Sequence, residues 1–184
     1  MENSFSNGSK LLNAEGILEK AGIEEGMIVA DLGCGANGYF CFPASHFVGD
    51  RGLVYAVDIR KTALDNIKSM VDFESVNNIK TVWANLEIYG LTKINSNFLD
   101  LGLLINVLFQ SNQKFNILKE TARLIKNKGK IVIVDWKKSN IALGPAVDLR
   151  VDKGDVQAIF HSLNIEQVDE FDAGKYHFGM IFQK

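Results

Sequence analysis

Apolar residues along this chain fall into two alternating kinds of block. Short continuous runs at 27–30, 53–57, 79–84, 98–107, 130–135, 165–171 and 176–182 read as strands, buried on both faces where no polar alternation interrupts them. Between them, 11–21, 39–48, 61–76, 113–126 and 152–163 carry apolar residues at helical spacing. The inward faces are Leu11, Leu12, Ile17, Leu18 and Ala21 in the first helix, Leu64, Ile67 and Val71 in the third, and Phe115, Leu118, Ala122 and Ile125 in the fourth. Gly22, Gly49-Asp50-Arg51-Gly52, Asn77-Asn78, Lys128-Gly129 and Ala173-Gly174-Lys175 punctuate the blocks, and Asp152 caps the last helix. Residues 85–97 and 138–150, the latter with Gly144-Pro145, read as loops.

Strands that alternate with helices imply a parallel sheet covered on both faces. The last two strands are joined by too few residues for a crossover, so they pair antiparallel. The expected fold is therefore α/β: a Rossmann-like seven-stranded sheet, mostly parallel with an antiparallel C-terminal hairpin strand, and helices on both faces. With no repeat and no low-complexity linker, residues 1–184 read as one domain. Residues 1–10, rich in Asn, Ser and Gly, read as a mobile arm that either folds over a ligand through Phe5 or simply frays.

The densest chemistry lies in Val29-Ala30-Asp31-Leu32-Gly33-Cys34-Gly35-Ala36-Asn37-Gly38. A strand, a glycine turn and a helix start form a nucleotide-binding corner. Gly33, Gly35 and Gly38 fit G-x-G-x-x-G, and Asp58 lies twenty residues beyond Gly38, so the spacing also suits a dinucleotide. Charge discriminates. A pyrophosphate over the turn is repelled by a carboxylate at Asp31, whereas the sulfonium and ammonium of S-adenosyl-L-methionine are attracted to it. A strand-end Asp that only caps a turn is the competing reading.

Asp31-Leu32-Gly33-Cys34-Gly35 resembles the first motif of class I S-adenosylmethionine-dependent methyltransferases. The resemblance continues through Val54-Tyr55-Ala56-Val57-Asp58, Leu104-Ile105-Asn106-Val107-Leu108-Phe109-Gln110 and Gly129-Lys130-Ile131-Val132-Ile133-Val134-Asp135-Trp136-Lys137. It spans nearly the whole chain and is closest to small single-domain prokaryotic members. One feature departs: the commoner spacing is G-x-G-x-G, and Ala36-Asn37 inserts a residue before Gly38. The terminal hairpin also suits this family better than a simple dinucleotide fold.

Ligands of open parallel sheets lie beyond the carboxyl ends of the strands, which brings Asp31, Asp58, Asn85, Asn106 and Trp136 into view. Gly33, Cys34, Gly35 and Gly38 form the turn. Asp58, with Ile59 beside it, suits ribose hydroxyls; the competing role is a cap for the helix from Lys61. In the resembling family the position of Asn85 is often Asp and accepts from the adenine amino group; Asn85 can do the same through its oxygen, and Leu86 can offer a backbone N–H. An ordinary loop Asn is the rival. Asn106 stands in an apolar run and must either be satisfied by backbone or face a site, where it would hold the methionine end of the cofactor or touch substrate. Gln110, Trp136 and Lys137 are substrate-proximal candidates; for Trp136, core packing competes. Of the three histidines, His46 reads as structural, His161 as surface, and His177 as the one base candidate, against a packing role beside Tyr176.

Composition adds mainly exclusions. The 184 residues are 47% hydrophobic and 23% charged, ordinary for a globular protein. A net charge of −2 makes no case for nucleic acid or a membrane surface. Cys34 and Cys41 have no second pair to complete a zinc site, so no metal is expected. Without a signal-peptide pattern or a long apolar run, the expected compartment is the cytoplasm. The expectation is thus an enzyme that moves a methyl group from S-adenosyl-L-methionine to an unidentified small molecule. Two rivals remain: an NAD(P)-dependent oxidoreductase, and a non-catalytic S-adenosylmethionine-binding module. Oligomeric state is not legible.

Overall fold

Seven strands form one sheet in the order β3-β2-β1-β4-β5-β7-β6 in the computed structural model, which describes residues 11–139 and 143–184. The elements are α1 (Ala14–Ala21), β1 (Ile28–Leu32), α2 (Cys41–Val48), β2 (Leu53–Asp58), α3 (Lys61–Glu74), β3 (Ile79–Trp83), β4 (Leu99–Ile105), α4 (Lys114–Leu124), β5 (Ile125–Trp136), α5 (Lys153–Ser162), β6 (Glu166–Asp172) and β7 (His177–Gln183). The arm at 1–10 with Phe5, and Ile141-Ala142 of the second loop, lie outside the described residues.

Strands β1 to β5 pair parallel, and β7 pairs antiparallel with both β5 and β6. The hairpin folds back so that β7 inserts between β5 and β6. This agrees with the burial of the two strands: β7 is covered on both faces, while β6 alternates exposed and half-buried positions as an edge strand should. Glu166, Asp169, Glu170 and Asp172 charge that edge, which discourages further strand pairing.

Two apolar clusters cover the two faces. Leu12 just before α1, with Ile17, Leu18, Cys41, Ala44, Val48, Leu64 and Ile67 from α1, α2 and α3, packs on Val29, Leu103, Val132 and Val134. Ile117, Leu118, Val156 and Phe160 from α4 and α5 pack on Ala30, Leu104, Ile133 and Met180. The strand order reverses between β1 and β4, which makes their carboxyl ends the switch point of the sheet.

Several boundaries differ from the sequence reading. The first helix starts at Ala14 because Asn13 caps it, its Oδ1 accepting from Gly16 N at 3.1 Å; Leu11 therefore precedes the helix and is exposed. Helix α4 stops at Leu124, and β5 is long, running from Ile125 through the expected Lys128-Gly129 turn. That turn is absorbed as a bulge: Lys128 is left-handed and the β4–β5 register shifts between Leu99 and Leu101. Phe115 is exposed rather than inward. It lies in the first turn of α4 with the Lys119 ammonium 6.0 Å above its ring, while Ile117 and Thr121 turn to the core with Leu118 and Ala122. His46 and His161 are on exposed helix positions.

The loop at 85–97 is tied down by a buried ion pair. Glu120 of α4 is fully buried and accepts from Gly90 N at 2.7 Å, Thr92 N at 3.2 Å and Arg123 Nε at 2.8 Å. Arg123 also donates to the carbonyls of Thr92 and Ile94. Burial alone would raise the Glu120 carboxyl; the hydrogen bonds from Arg123, Gly90 and Thr92 outweigh it and hold the group below its ordinary value. Removing one partner of such a pair strands a charge. Arg123→Ala should therefore cost about 3–5 kcal/mol in urea unfolding, and a loss below about 1 kcal/mol would contradict the role assigned to the pair.

Candidate functional site

The glycine turn is built from β1 outward. Gly33 N and Cys34 N both donate to Val57 O, at 2.7 and 3.0 Å, so the chain wraps from β1 onto β2 as soon as the strand ends. Gly33 takes φ +93° and faces Val107, so a Cβ there would come within 2.6 Å of a Val107 methyl. Gly35, at φ +68°, has open space where its Cβ would be. Its N–H donates to Asp58 Oδ2 at 2.9 Å. Gly38 is also left-handed, over the Phe42 ring.

Asp58 is buried at the end of β2, and Arg60 N donates to its other oxygen at 2.8 Å. Arg60 Nε, on an exposed side chain, also lies 3.4 Å from that oxygen; a carboxylate has about four acceptor sites, so capacity for a ligand remains and grows if the arginine swings away. The helix-cap role is not what the structure has: the N-cap of α3 is Arg60, with no side-chain cap bond. Ile59 is exposed next to Asp58, and its carbonyl accepts from Trp83 Nε1 at 2.7 Å. Ala84 N donates to Asp58 O at 3.2 Å, which brings the end of β3 alongside. There Asn85 Oδ1 accepts from Glu87 N at 2.9 Å, and Leu86 is buried.

Asp31 lies one residue inside the end of β1 and is buried. Cys41 Sγ, at the start of α2, donates to its Oδ2 at 3.3 Å. Burial pushes the Asp31 carboxyl up to about 7; the Cys41 thiol works against that shift and the Asp58 charge adds to it.

The end of β4 carries a second set. Asn106 is left-handed and buried, its N–H donating to Val134 O at 2.8 Å. Neither Oδ1 nor Nδ2 of its side chain has a hydrogen-bond partner. This is not the backbone-satisfied Asn of the competing reading; it is a buried amide that lacks a partner. Gln110 is exposed and donates to Asn106 O at 2.6 Å. Trp136 is buried at the end of β5 and packs against His177 at a tilt of 42°, centroids 4.2 Å apart. His177 opens β7 opposite Trp136, fully buried, with neither ring nitrogen bonded. Burial, then the Lys137 charge, pulls its pKa down to about 4, so it is neutral at neutral pH. Lys137 itself pairs with Asp172 at 2.7 Å.

The structure thus brings two sets to one end of the sheet. Gly33, Gly35, Asp58, Ile59, Asn85 and Asp31 gather around β1, β2 and β3. Asn106, Gln110, Trp136, Lys137 and His177 gather around β4, β5 and β7. Val107, against Gly33, joins them. Sequence reasoning passed over Val107, Trp83 and the Cys41–Asp31 contact. It also passed over Asp135, a buried acid that accepts from Phe109 N and Trp136 N and is raised to about 7, chiefly by burial. The acid of Asp135 at a strand end was the one available signal. Among the described residues no three His, Cys, Asp or Glu are grouped as metal ligands, and Cys34 and Cys41 are free thiols.

The sequence matches the family described as methyltransferase domain over residues 23–171. The chain belongs to this methyltransferase family. No curated protein matches it. Among solved structures, a SAM-dependent methyltransferase from Aquifex aeolicus is 25% identical with a TM-score of 0.85, over 96% of this chain and 92% of that one. A protein assigned as a type 11 methyltransferase from Sulfolobus solfataricus is 27% identical with a TM-score of 0.76, over 95% and 93%. An arsenic(III) S-adenosylmethionine methyltransferase from Chlamydomonas reinhardtii, 19% identical with a TM-score of 0.70 over 88% and 64%, shares the fold.

The methyltransferase is therefore a class I, S-adenosylmethionine-dependent enzyme, and the dinucleotide alternative gives way. Its residues fit that cofactor on structural grounds: open space at Gly35, a pinned carboxylate with acceptor capacity at Asp58, and an unpartnered buried amide at Asn106. Two variants check the fit. Gly33→Val meets both a left-handed backbone and Val107, so S-adenosylmethionine binding should be lost in calorimetry; retained binding would move the site elsewhere. Asp58→Ala should weaken binding by roughly 1.5–3 kcal/mol for each hydrogen bond to the carboxylate; wild-type affinity would remove Asp58 from the site.

Proposed function

We propose that the enzyme methylates a small-molecule acceptor, with the cofactor laid across the ends of β1, β2 and β3 and the acceptor against β4, β5 and β7. S-adenosylmethionine supplies a methyl group already activated on a sulfonium. The chain's work is then to bind, orient and exclude water. In this reading Asp58 accepts from the ribose hydroxyls and Ile59 covers one side of the base. Asn85 Oδ1 and Leu86 N–H meet the adenine edge. Gly33, Cys34, Gly35 and Gly38 let backbone approach the ligand, and Asp31 draws its positive end.

Asn106, with Gln110 bracing its carbonyl, holds the methionine end or the acceptor. Trp136 and Lys137 border the acceptor. His177 is a hydrogen-bonding group there rather than a proton acceptor, because a base with a pKa of about 4 is poorly matched to neutral pH. The observation that carries the cofactor assignment is the 2.9 Å bond from Gly35 N to Asp58 Oδ2, which makes one unit of the turn and the ribose acid.

A small acceptor is supported by the character of the second set. Asn106, Trp136 and His177 are buried, uncharged side chains, and the net charge of −2 provides no basic field for nucleic acid. Among the described residues no helix is long and apolar enough to cross a membrane. The two free thiols suit a reducing compartment such as the cytoplasm. The test is to incubate the enzyme with methyl-labelled S-adenosylmethionine and, separately, the small-molecule, RNA and protein fractions of a cell extract. Label should pass to the small-molecule fraction, with S-adenosylhomocysteine formed. Label in RNA or protein would contradict the reading.

A further inference from the structure

Asp31 is the acid on which the choice of cofactor turned, yet the donors of the glycine turn do not serve it. Gly33 N and Cys34 N go to Val57 O, and Gly35 N goes to Asp58. Its hydrogen bond comes instead from α2, where the fully buried Cys41 Sγ lies 3.3 Å from Oδ2. The Cys34 thiol of the turn also acts on the Cys41 thiol. One side chain therefore holds the acid beneath the turn and lies under the influence of the turn's own thiol.

We propose that Cys41 is a positioning residue of the methyl-donor site, its thiol orienting the Asp31 carboxylate toward the positive end of the bound cofactor. This rests on the reading that Asp31 serves that positive end. The chemistry of the donor suits the task. A thiol is a weak, uncharged donor, so it fixes the carboxylate without neutralising it. A Lys or Arg in its place would compete with the sulfonium and ammonium for the same charge.

Among the described residues few other groups act on Asp31. From β2 comes the Asp58 carboxylate, and from the turn the Cys34 thiol. Toward this end β4 presents Leu101, Leu103 and Ile105; its acid, Asp100, is at the far end, accepting from Ile28 N and paired with Lys126. On α1, Glu15, Glu19 and Lys20 are exposed, and His46 is exposed on α2. Both thiols are raised and stay neutral near pH 7: Cys41 by the Cys34 thiol, then burial and the Asp31 charge, and Cys34, against the effect of Cys41, by burial and the Asp31 and Asp58 charges.

At the donor end Asp31 is thus the acid that titrates near neutrality, with its carboxyl at about 7; Asp135, raised to about the same value, stands on the acceptor side at the end of β5 and is unchanged in every variant below. A cationic ligand favours its ionised form, so affinity should rise as pH rises through that value. The thiol bond opposes the upward shift. Without it the midpoint should move up.

The experiment is calorimetric titration with S-adenosylmethionine from about pH 5.5 to about pH 7.5, below the range where an α-amino group titrates. It uses wild type, Cys41→Ser, Cys41→Val, Cys41→Ala and Asp31→Asn, with thermal unfolding as the control for folding. Cys41→Ser keeps a donor and should keep the wild-type midpoint. Cys41→Val and Cys41→Ala should bind roughly two- to tenfold more weakly at pH 7, converging on wild type as pH rises further. Wild-type pH dependence in both folded Val and Ala variants would overturn the proposal. So would a Ser variant that shifts as they do, since that is the behaviour of packing alone. Asp31→Asn should lose the pH dependence; if it does not, the reading of Asp31 itself fails, whatever Cys41 does.

Discussion

The hinge of this structure is the set of three hydrogen bonds that carries the chain from β1 onto β2. Gly33 N and Cys34 N close on Val57 O, and Gly35 N closes on the Asp58 carboxylate. The first two need a left-handed residue at Gly33 packed against Val107, which a side chain would forbid. The third fixes a carboxylate before any ligand arrives. Pre-placed donors and acceptors cost no reorganisation on binding. The order of strands puts the β1 end of this hinge beside the switch point between β1 and β4, where in an open α/β sheet neighbouring turns diverge and leave a crevice.

Around that hinge the molecule keeps polar groups where burial disfavours them. Asp31 and Asp135 are buried acids raised toward neutrality, and the side chains of Asn106 and His177 are buried without partners. Each works against folding. All four lie at the carboxyl ends of β1, β4 and β5 or the facing start of β7, while the other buried side-chain atom without a partner among the described residues, Thr92 Oγ1, lies beside Glu120 in the loop at 85–97. Departures from a well-satisfied interior that gather at one place mark a binding site rather than imperfect packing. By contrast the Glu120–Arg123 pair, equally buried, has its hydrogen bonds supplied from the loop at 85–97 and serves as a fastening.

Much of this was legible from local pattern. The glycine turn, Asp58 and the terminal hairpin are signals within a few residues, and the sheet follows from alternating blocks. What escaped was set by distance or by competition. The β5 strand overrides a Lys-Gly turn because its pairing with β4 resumes beyond a bulge. Phe115 looked inward by period but lies in the first turn of α4, where a lysine covers it. Cys41 read as core, which it is, but its thiol also reaches an acid ten residues earlier. The Trp136–His177 contact joins residues that meet only through antiparallel register. The acceptor is not written in the sequence because the family's chemistry demands orientation rather than a particular catalytic side chain.

The most direct measurement is calorimetric titration of the purified protein with S-adenosylmethionine, S-adenosylhomocysteine and NAD in parallel. Binding of the first two and not of NAD is the predicted result, since the buried carboxylate at Asp31 favours a cation over a pyrophosphate at the glycine turn. Binding of NAD alone would contradict the account at its base, and binding of none would mean that the Gly35–Asp58 unit is not a cofactor site.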